Sequence, residues 1–121
     1  MRHQCSIWVV ALGSMMFAAC ATPHTEKALD ARNAGQYDVQ LEEVRLELLY
    51  PSAPGQDHLV NVYIMGIDAI SNCIEHHGKS ASEFPDEAQR YYQGGREAAV
   101  SVEEKHRLEH AMERYRAVSQ R

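Results

Sequence analysis

The sequence lacks an apolar run long enough to cross a bilayer, which takes about 20 residues. Its most continuous run, Ile7–Ala18, is shorter and contains Gly13 and Ser14. It also lacks an excess of positive charge, with 12 Lys and Arg against 17 Asp and Glu, for a net charge of −5. This balance argues against a nucleic-acid partner, which requires clustered basic residues, and against a body lying flat on an anionic membrane.

Motifs for catalysis are also missing. No glycine-rich phosphate loop is present, since Gly94–Gly95 is interpreted as a helix terminator. No serine or histidine stands in a nucleophile elbow or another recognisable triad setting. We therefore predict that the protein is not an enzyme.

The first 20 residues have the order of an export signal. Arg2 and His3 give a weakly basic start, the apolar run follows, and two small residues precede Cys20. A basic start, an apolar run of about 7–15 residues and a small-residue cleavage site define a secretory signal rather than folded structure. We predict that residues 1–19 are this signal.

The sequence Phe17-Ala18-Ala19-Cys20 resembles the lipobox of bacterial lipoproteins. Phe17 departs from the pattern, in which an aliphatic residue is usual. The resemblance implies diacylglycerol on the Cys20 thiol, cleavage before Cys20 and a fatty acyl group on the new amino terminus, with no other cofactor. Ala21, where Asp would retain the protein in the inner membrane, implies an anchor in the outer membrane of a Gram-negative bacterium, facing the periplasm.

Two alternatives to the lipid anchor remain open. Ala19-Cys20-Ala21 also fits ordinary signal cleavage, which would release a soluble protein starting at Thr22, and the leader could persist as an uncleaved anchor. Because the leader carries one of the basic residues and no acid, its removal leaves a net charge of −6.

The three cysteines do not predict a disulfide within the mature chain. Cys5 would leave with the signal and Cys20 would carry lipid, so Cys73 would remain alone. Its neighbours Ile70 and Ile74 favour burial over pairing between chains, but the choice stays open.

The remaining chain predicts one small all-α domain, a bundle of four or five helices over residues 26–121, after a lipidated tether over residues 20–25. Thr25 is a candidate cap for the first helix. Residues Tyr37 to Leu48 have helical spacing, with Gln40 and Glu47 on the wet face, although alternation over residues 44–50 also fits a strand.

The most apolar segment, Asp57 to His77, predicts the central helix, with Asp57 as its cap, Gly66 permitting close approach of a neighbour and Gly78 at its end. Phe84-Pro85-Asp86-Glu87 predicts a further helix start, terminated by Gly94–Gly95. Ser101-Val-Glu-Glu104 has the form of a capping box for the last helix.

Two resemblances concern this domain. Gly35-Gln-Tyr37 followed by Pro51 is faintly similar to half of a tetratricopeptide repeat, but no second copy follows at a period of 34, so a repeat array is not predicted. The size and helical layout resemble the pilotins, small outer-membrane lipoproteins that escort secretin subunits. That likeness is one of architecture, without diagnostic residues.

Two function classes follow. The first is a non-catalytic accessory or adaptor subunit that binds an envelope protein, because a tethered helical body acts mainly by local concentration. The second is a periplasmic metal-binding or sensing protein using His106 and His110, which lie on one helical face with Glu103 and Glu113 nearby. A third ligand would come from His58 or from His76–His77 by folding. The identity of the partner, the pathway and the oligomeric state stay open.

Tyrosines offer one further candidate surface. Four tyrosines are predicted either to be half-buried in the core or to form an aromatic binding surface. The residues concerned are Tyr63, Tyr91, Tyr92 and Tyr115.

Overall fold

A computed structural model describes residues 22–121, which form five α-helices and one 3-10 turn, with no strand in this part of the chain. The all-α prediction is therefore confirmed. The predicted leader and Cys20 lie outside the described residues. The elements are α1 (His24–Asn33), α2 (Tyr37–Leu49), α3 (Gln56–His77), a 3-10 turn (Ala81–Glu83), α4 (Glu87–Ala98) and α5 (Val102–Ser119).

The first two helices settle two open points of the sequence. Residues 44–49 belong to α2, so the strand alternative is wrong. Helix α1 begins at His24, inside the predicted tether, and Thr25 is not its cap. The carbonyl oxygen of Pro23 accepts the N–H groups of Glu26 and Lys27, both at 3.1 Å, and this starts the helix.

Helix α3 is the centre of the bundle and contacts all four other helices. Apolar residues occur on several of its faces, so neighbouring helices cover most of it. The fully covered ones include Val60, Ile67 and Ile70. Among residues 22–121, no helix has the length and the apolar content that a membrane span needs.

Side-chain pairs fix the direction of the helices around α3. Arg107 bonds Asn61, Arg114 bonds Asp68 and Arg121 bonds Glu75, so α5 runs parallel to α3. Helix α2 runs antiparallel to α3, because His58 near the start of α3 bonds Glu47 near the end of α2. Helix α4 is likewise antiparallel, since Tyr91 lies against Gly66 and Ala98 lies in a cluster with Val60.

Three glycines allow these helices to approach closely. A Cβ at Gly66 would stand 2.6 Å from the Tyr91 ring, which confirms the predicted close approach. The prediction that Gly94–Gly95 ends a helix is wrong, because α4 continues to Ala98. A Cβ at Gly94 would lie 2.5 Å from Tyr63 Cζ, and one at Gly95 would lie 2.7 Å from Leu108 Cδ1. These glycines serve packing rather than termination.

The structure confirms some of the predicted helix ends and contradicts others. Gly78 closes α3 in the left-handed region at φ 67°, and Ser101 and Glu104 form the predicted capping box of α5. Asp57 is not a cap, because α3 starts before it at Gln56. Helix α4 starts at Glu87, after Asp86 at φ 63°, so Pro85 precedes the helix instead of opening it.

The core accounts for Cys73 and the tyrosines. Cys73 is a free thiol, 1% exposed, which confirms burial within the chain, and burial raises the pKa of this thiol. Tyr91 and Tyr92 are buried in the main apolar cluster, and Tyr63 and Tyr115 pack against it. The tyrosines therefore belong to the core.

Candidate functional site

A groove runs between α1 and α5 along α3. Its volume is about 720 Å³, within the roughly 300–1,000 Å³ typical of ligand pockets. Helices α1, α3 and α5 all supply lining side chains. The groove is lined by Leu29, Arg32, Ile64, Met65, Asp68, His106, Arg107, His110, Ala111 and Arg114.

The floor of the groove is apolar. Ile64 and Met65 are partly buried at its base, and Ala111 lies on the α5 side. Leu29 stands at the α1 rim and is 46% exposed. An aliphatic side chain exposed beside a concave apolar floor is a common feature of surfaces that bind other chains.

The rim of the groove is cationic, although the protein as a whole is acidic. Arg32, Arg107 and Arg114 line it, and Asp68 is the single acid among the lining residues. Arg114 Nη1 lies 2.8 Å from Asp68 Oδ1, and Arg32 Nε lies 3.0 Å from Asp68 Oδ2. One carboxylate thus faces two guanidinium groups, and Arg114 Nη2 also pairs with Glu75 Oε1 at 2.7 Å, just outside the groove. Among the residues that line the groove, three arginines stand against one acid.

A buried amide helps to hold this rim in place. The Gln40 side chain is fully buried and donates to Asp68 Oδ2 at 3.3 Å and to the Met65 carbonyl at 3.4 Å. Asn72 accepts from Arg114 Nη2 at 2.8 Å and donates to Gln40 Oε1 at 3.4 Å. The prediction that Gln40 is on the solvent-exposed face of α2 is therefore wrong. Helical periodicity does not identify a buried glutamine whose side chain bonds an ion-paired carboxylate.

The groove continues towards the start of α1. A second concavity of about 570 Å³ shares Leu29, Ile64, Met65 and Arg107 with it and extends to Pro23. Arg107 Nη2 donates to Asn61 Oδ1 at 2.7 Å, which fixes this arginine at the junction. The two concavities form one continuous channel along α3.

A second polar cluster lies at the turn between α2 and α3. Glu47 is 1% exposed, and its Oε2 accepts from the Ser52 N–H at 2.6 Å and the Ser52 hydroxyl at 3.0 Å, with His58 Nε2 at 2.9 Å. Burial alone raises the pKa of Glu47, but these hydrogen bonds outweigh burial and the net shift is downward. The prediction that Glu47 is on the wet face is wrong.

This cluster does not have the geometry of a catalytic triad. The carboxylate stands between the hydroxyl and the imidazole, and both bond the same oxygen. A nucleophile needs a base within hydrogen-bond reach of its own proton. The Ser52 hydroxyl donates its hydrogen bond to Glu47 rather than to the imidazole, and the lowered pKa of Glu47 makes this carboxylate a weak base, so the cluster clamps the turn over residues 50–55.

A third cluster ties α2 to α4. Arg45 donates to both carboxylate oxygens of Glu87 at 2.9 and 2.7 Å, and the Tyr91 hydroxyl donates to the same group. Burial alone raises the pKa of Glu87, but the bonds from Arg45 and Tyr91 lower it overall. A paired carboxylate that is almost fully covered has the role of a structural link.

The two histidines of the metal hypothesis are exposed and line the groove. Within residues 22–121, no group of three or more His, Cys, Asp or Glu side chains is placed to hold a metal ion. The proposed third ligands are engaged elsewhere: His58 bonds Glu47, and His77 bonds the Gly35 carbonyl at 3.1 Å. His76 packs on Tyr37.

No protein-family model matches this chain, and no curated protein and no solved structure shows significant similarity to it.

Proposed function

We propose that this protein is a lipid-anchored adaptor of the bacterial outer membrane, held by diacylglycerol and fatty acyl on Cys20 at the periplasmic face. It binds a helical segment of an envelope protein in the groove. The observation that carries the proposal is the groove itself: an apolar floor with a cationic rim, in a small bundle whose polar clusters have structural roles.

The groove favours a helical occupant. Helices α1 and α5 flank α3 without filling the space above Ile64 and Met65. An amphipathic helix laid there would complete the layer and cover Leu29. The arginine rim predicts acidic residues beside the apolar face of that segment, because opposite charges steer partners and fix their register.

The anchor contributes by concentration. Two or three acyl chains make detachment from a bilayer negligible, since one chain alone binds only marginally. A tethered adaptor meets a membrane-embedded partner at raised effective concentration, so a weak contact in the groove suffices. This is the non-catalytic role that the sequence predicts, and it is pilotin-like in architecture.

Fatty-acid labelling in cells tests the anchor. We expect a clickable fatty acid to label the wild-type protein and not Cys20→Ser. Cys5→Ser is the matched control, because Cys5 lies in the predicted leader, and it should keep the label. Label that persists on Cys20→Ser, or is missing from the wild type, would contradict the anchor.

Photocrosslinking in cells tests the groove. A photoreactive amino acid at Leu29 should crosslink to one discrete protein, and the same probe at Val39 should not. The two positions are similarly exposed, at 46% and 41%, but Val39 does not line the groove. Peptide mapping should place the crosslink on an apolar segment flanked by acids, and Arg107→Glu should reduce it severalfold. Equal crosslinking at both positions would refute the groove as the binding surface.

The metal-binding alternative keeps one supporting observation, the presence of His106 and His110 in the same groove. Two imidazoles four residues apart on a helix are a partial site, and a bound partner would have to supply the remaining ligands. Equilibrium dialysis with zinc decides it. The adaptor proposal expects equal zinc stoichiometry for the wild type and for His106→Ala/His110→Ala, whereas a loss of one equivalent supports the metal site.

A further inference from the structure

The start of the described chain and two of its turns lie at the same end of the bundle. Helix α1 starts there, and the second concavity joins Pro23 at the start of α1 to His58 of α3. The α2–α3 turn lies at the same end, because His58 bonds Glu47. The α4–α5 turn lies there too, because Ala98 and Ala99 cluster with Val60 near the start of α3. We call this the proximal end.

The most exposed large apolar side chains of the described residues share this end. Leu49 is 69% exposed and Tyr50 is 68% exposed, just before the α2–α3 turn. Val100 is 76% exposed and Val102 is 84% exposed, in the α4–α5 turn and at the start of α5. These four residues are the proximal patch. The next most exposed, Leu29 at 46%, belongs to the groove.

Carboxylates hold both turns in place. Glu104 Oε1 accepts from the Val100 N–H at 3.0 Å and from the Ser101 N–H at 3.1 Å. Glu47 clamps the other turn through Ser52. The patch is therefore displayed by fixed backbone rather than by a loose loop, and apolar contact with it costs little ordering.

The proposed anchor attaches close to this patch. Cys20 precedes Pro23 by three residues, and an extended chain spans at most about 3.6 Å per residue. A lipidated Cys20 would therefore keep the start of α1 within roughly 11 Å of the lipid surface. The end that carries the patch is the end that the anchor holds against the bilayer.

We infer that the proximal patch rests on the lipid bilayer and sets the orientation of the domain, with α3 standing away from the membrane. The inference rests on the proposed Cys20 anchor. Leu and Val suit the acyl boundary, and Tyr suits the interface, where its ring is buried and its hydroxyl stays wet. Asp57 and Glu103 are exposed at the same end, so the contact is apolar and gains nothing from anionic lipid.

Tryptophan fluorescence in the lipidated protein tests the contact. The sequence has one tryptophan, Trp8, in the predicted leader, so cleavage leaves none. Tyr50→Trp then places a single probe in the patch, and Val39→Trp places the control on α2 outside it. The purified lipidated proteins are reconstituted in zwitterionic vesicles that contain lipids brominated near the top of their acyl chains.

We expect the fluorescence of the Tyr50→Trp protein to be quenched several-fold more than that of the Val39→Trp protein. Adding Leu49→Ser and Val102→Ser to the Tyr50→Trp protein should remove at least half of its quenching, because the tether alone brings the probe near lipid without inserting it. Replacing part of the lipid with an anionic one should leave the ratio of quenching between the two single variants unchanged.

Several outcomes overturn the inference. Equal quenching at the two positions, or quenching of Tyr50→Trp that survives the serine substitutions, means that the patch does not contact lipid. A concentration-dependent blue shift of the emission of Tyr50→Trp in protein produced without residues 1–20 would identify a second copy as the occupant. Mass spectrometry of the same preparations separates the two proposals: acylated protein without quenching refutes only the contact, and protein without acyl groups refutes both.

Discussion

The two sides of α3 differ in how completely they are covered. On the α4 side, Gly66 lets the Tyr91 ring press on the backbone, and Ile67 and Ile70 are fully buried. On the groove side, Ile64 and Met65 remain partly open between α1 and α5. The α4 side is covered by other residues of the chain, whereas the groove side is partly exposed. The same helix therefore combines a closed face with a partly open one, and the proposed partner would bind the open face.

The largest difference between the two sides should appear when equivalent volume is removed from each. Ile67→Ala removes a fully buried side chain and should lower the free energy of unfolding by about 2–5 kcal/mol. Leu29→Ala removes an isomeric side chain that is 46% exposed at the groove rim, and it should cost about 1 kcal/mol or less. Urea unfolding followed by circular dichroism measures both. Equal losses would show that the groove side is packed as a core.

A smaller effect is expected from adding a single methyl group to the closed side. Gly66→Ala gains up to about 1 kcal/mol of helix propensity but drives a Cβ into the Tyr91 ring and against Val44. We expect a net loss of about 1–2 kcal/mol, because Tyr91 is buried and bonded to Glu87 and cannot move aside. Gln93→Ala, at an exposed position of α4, is the control and should be neutral within ~0.5 kcal/mol. A stabilised Gly66→Ala would mean that the interface is looser than the geometry shows.

The smallest effect is the pH dependence of the link between α2 and α4. The pKa of Glu87 is lower in the folded protein than its ordinary value of 4.5, so its stabilisation is complete at neutral pH and is lost as pH falls below that value. Glu87→Gln should cost about 1 kcal/mol at pH 7 and progressively less towards pH 3. Glu97→Gln, an exposed acid on the same helix, should follow the wild-type curve. Thermal unfolding between pH 3 and pH 7 gives the comparison, and a constant gap between wild type and Glu87→Gln would contradict the role of the pair.

Much of the fold could be predicted because it depends on local chemistry. The apolar pattern of α3, the glycine at its end and the Ser101–Glu104 capping box are all visible as short-range signals. The glycines of α4 could not be interpreted in this way. Gly94–Gly95 has the form of a terminator, and only the Tyr63 and Leu108 side chains from other helices explain why the helix continues.

The candidate site was less accessible to sequence reasoning. Its histidines could be named, but the groove exists only because α1 and α5 lie on either side of α3, which is a tertiary fact. The burial of Gln40 and Glu47 likewise depends on partners far along the chain, Asp68 and His58. Polar residues that satisfy one another across helices leave no periodic trace, so the wet-face prediction failed at these two positions.

The length of α3 sets the distance between the two ends of the bundle. Its 22 residues make a rod of about 33 Å. With the Gln56 end at the lipid surface, Ile64 and Asp68 would stand roughly 12–18 Å above it at the usual rise per residue. A partner helix bound there would be kept clear of the headgroups yet within reach of a membrane-embedded assembly.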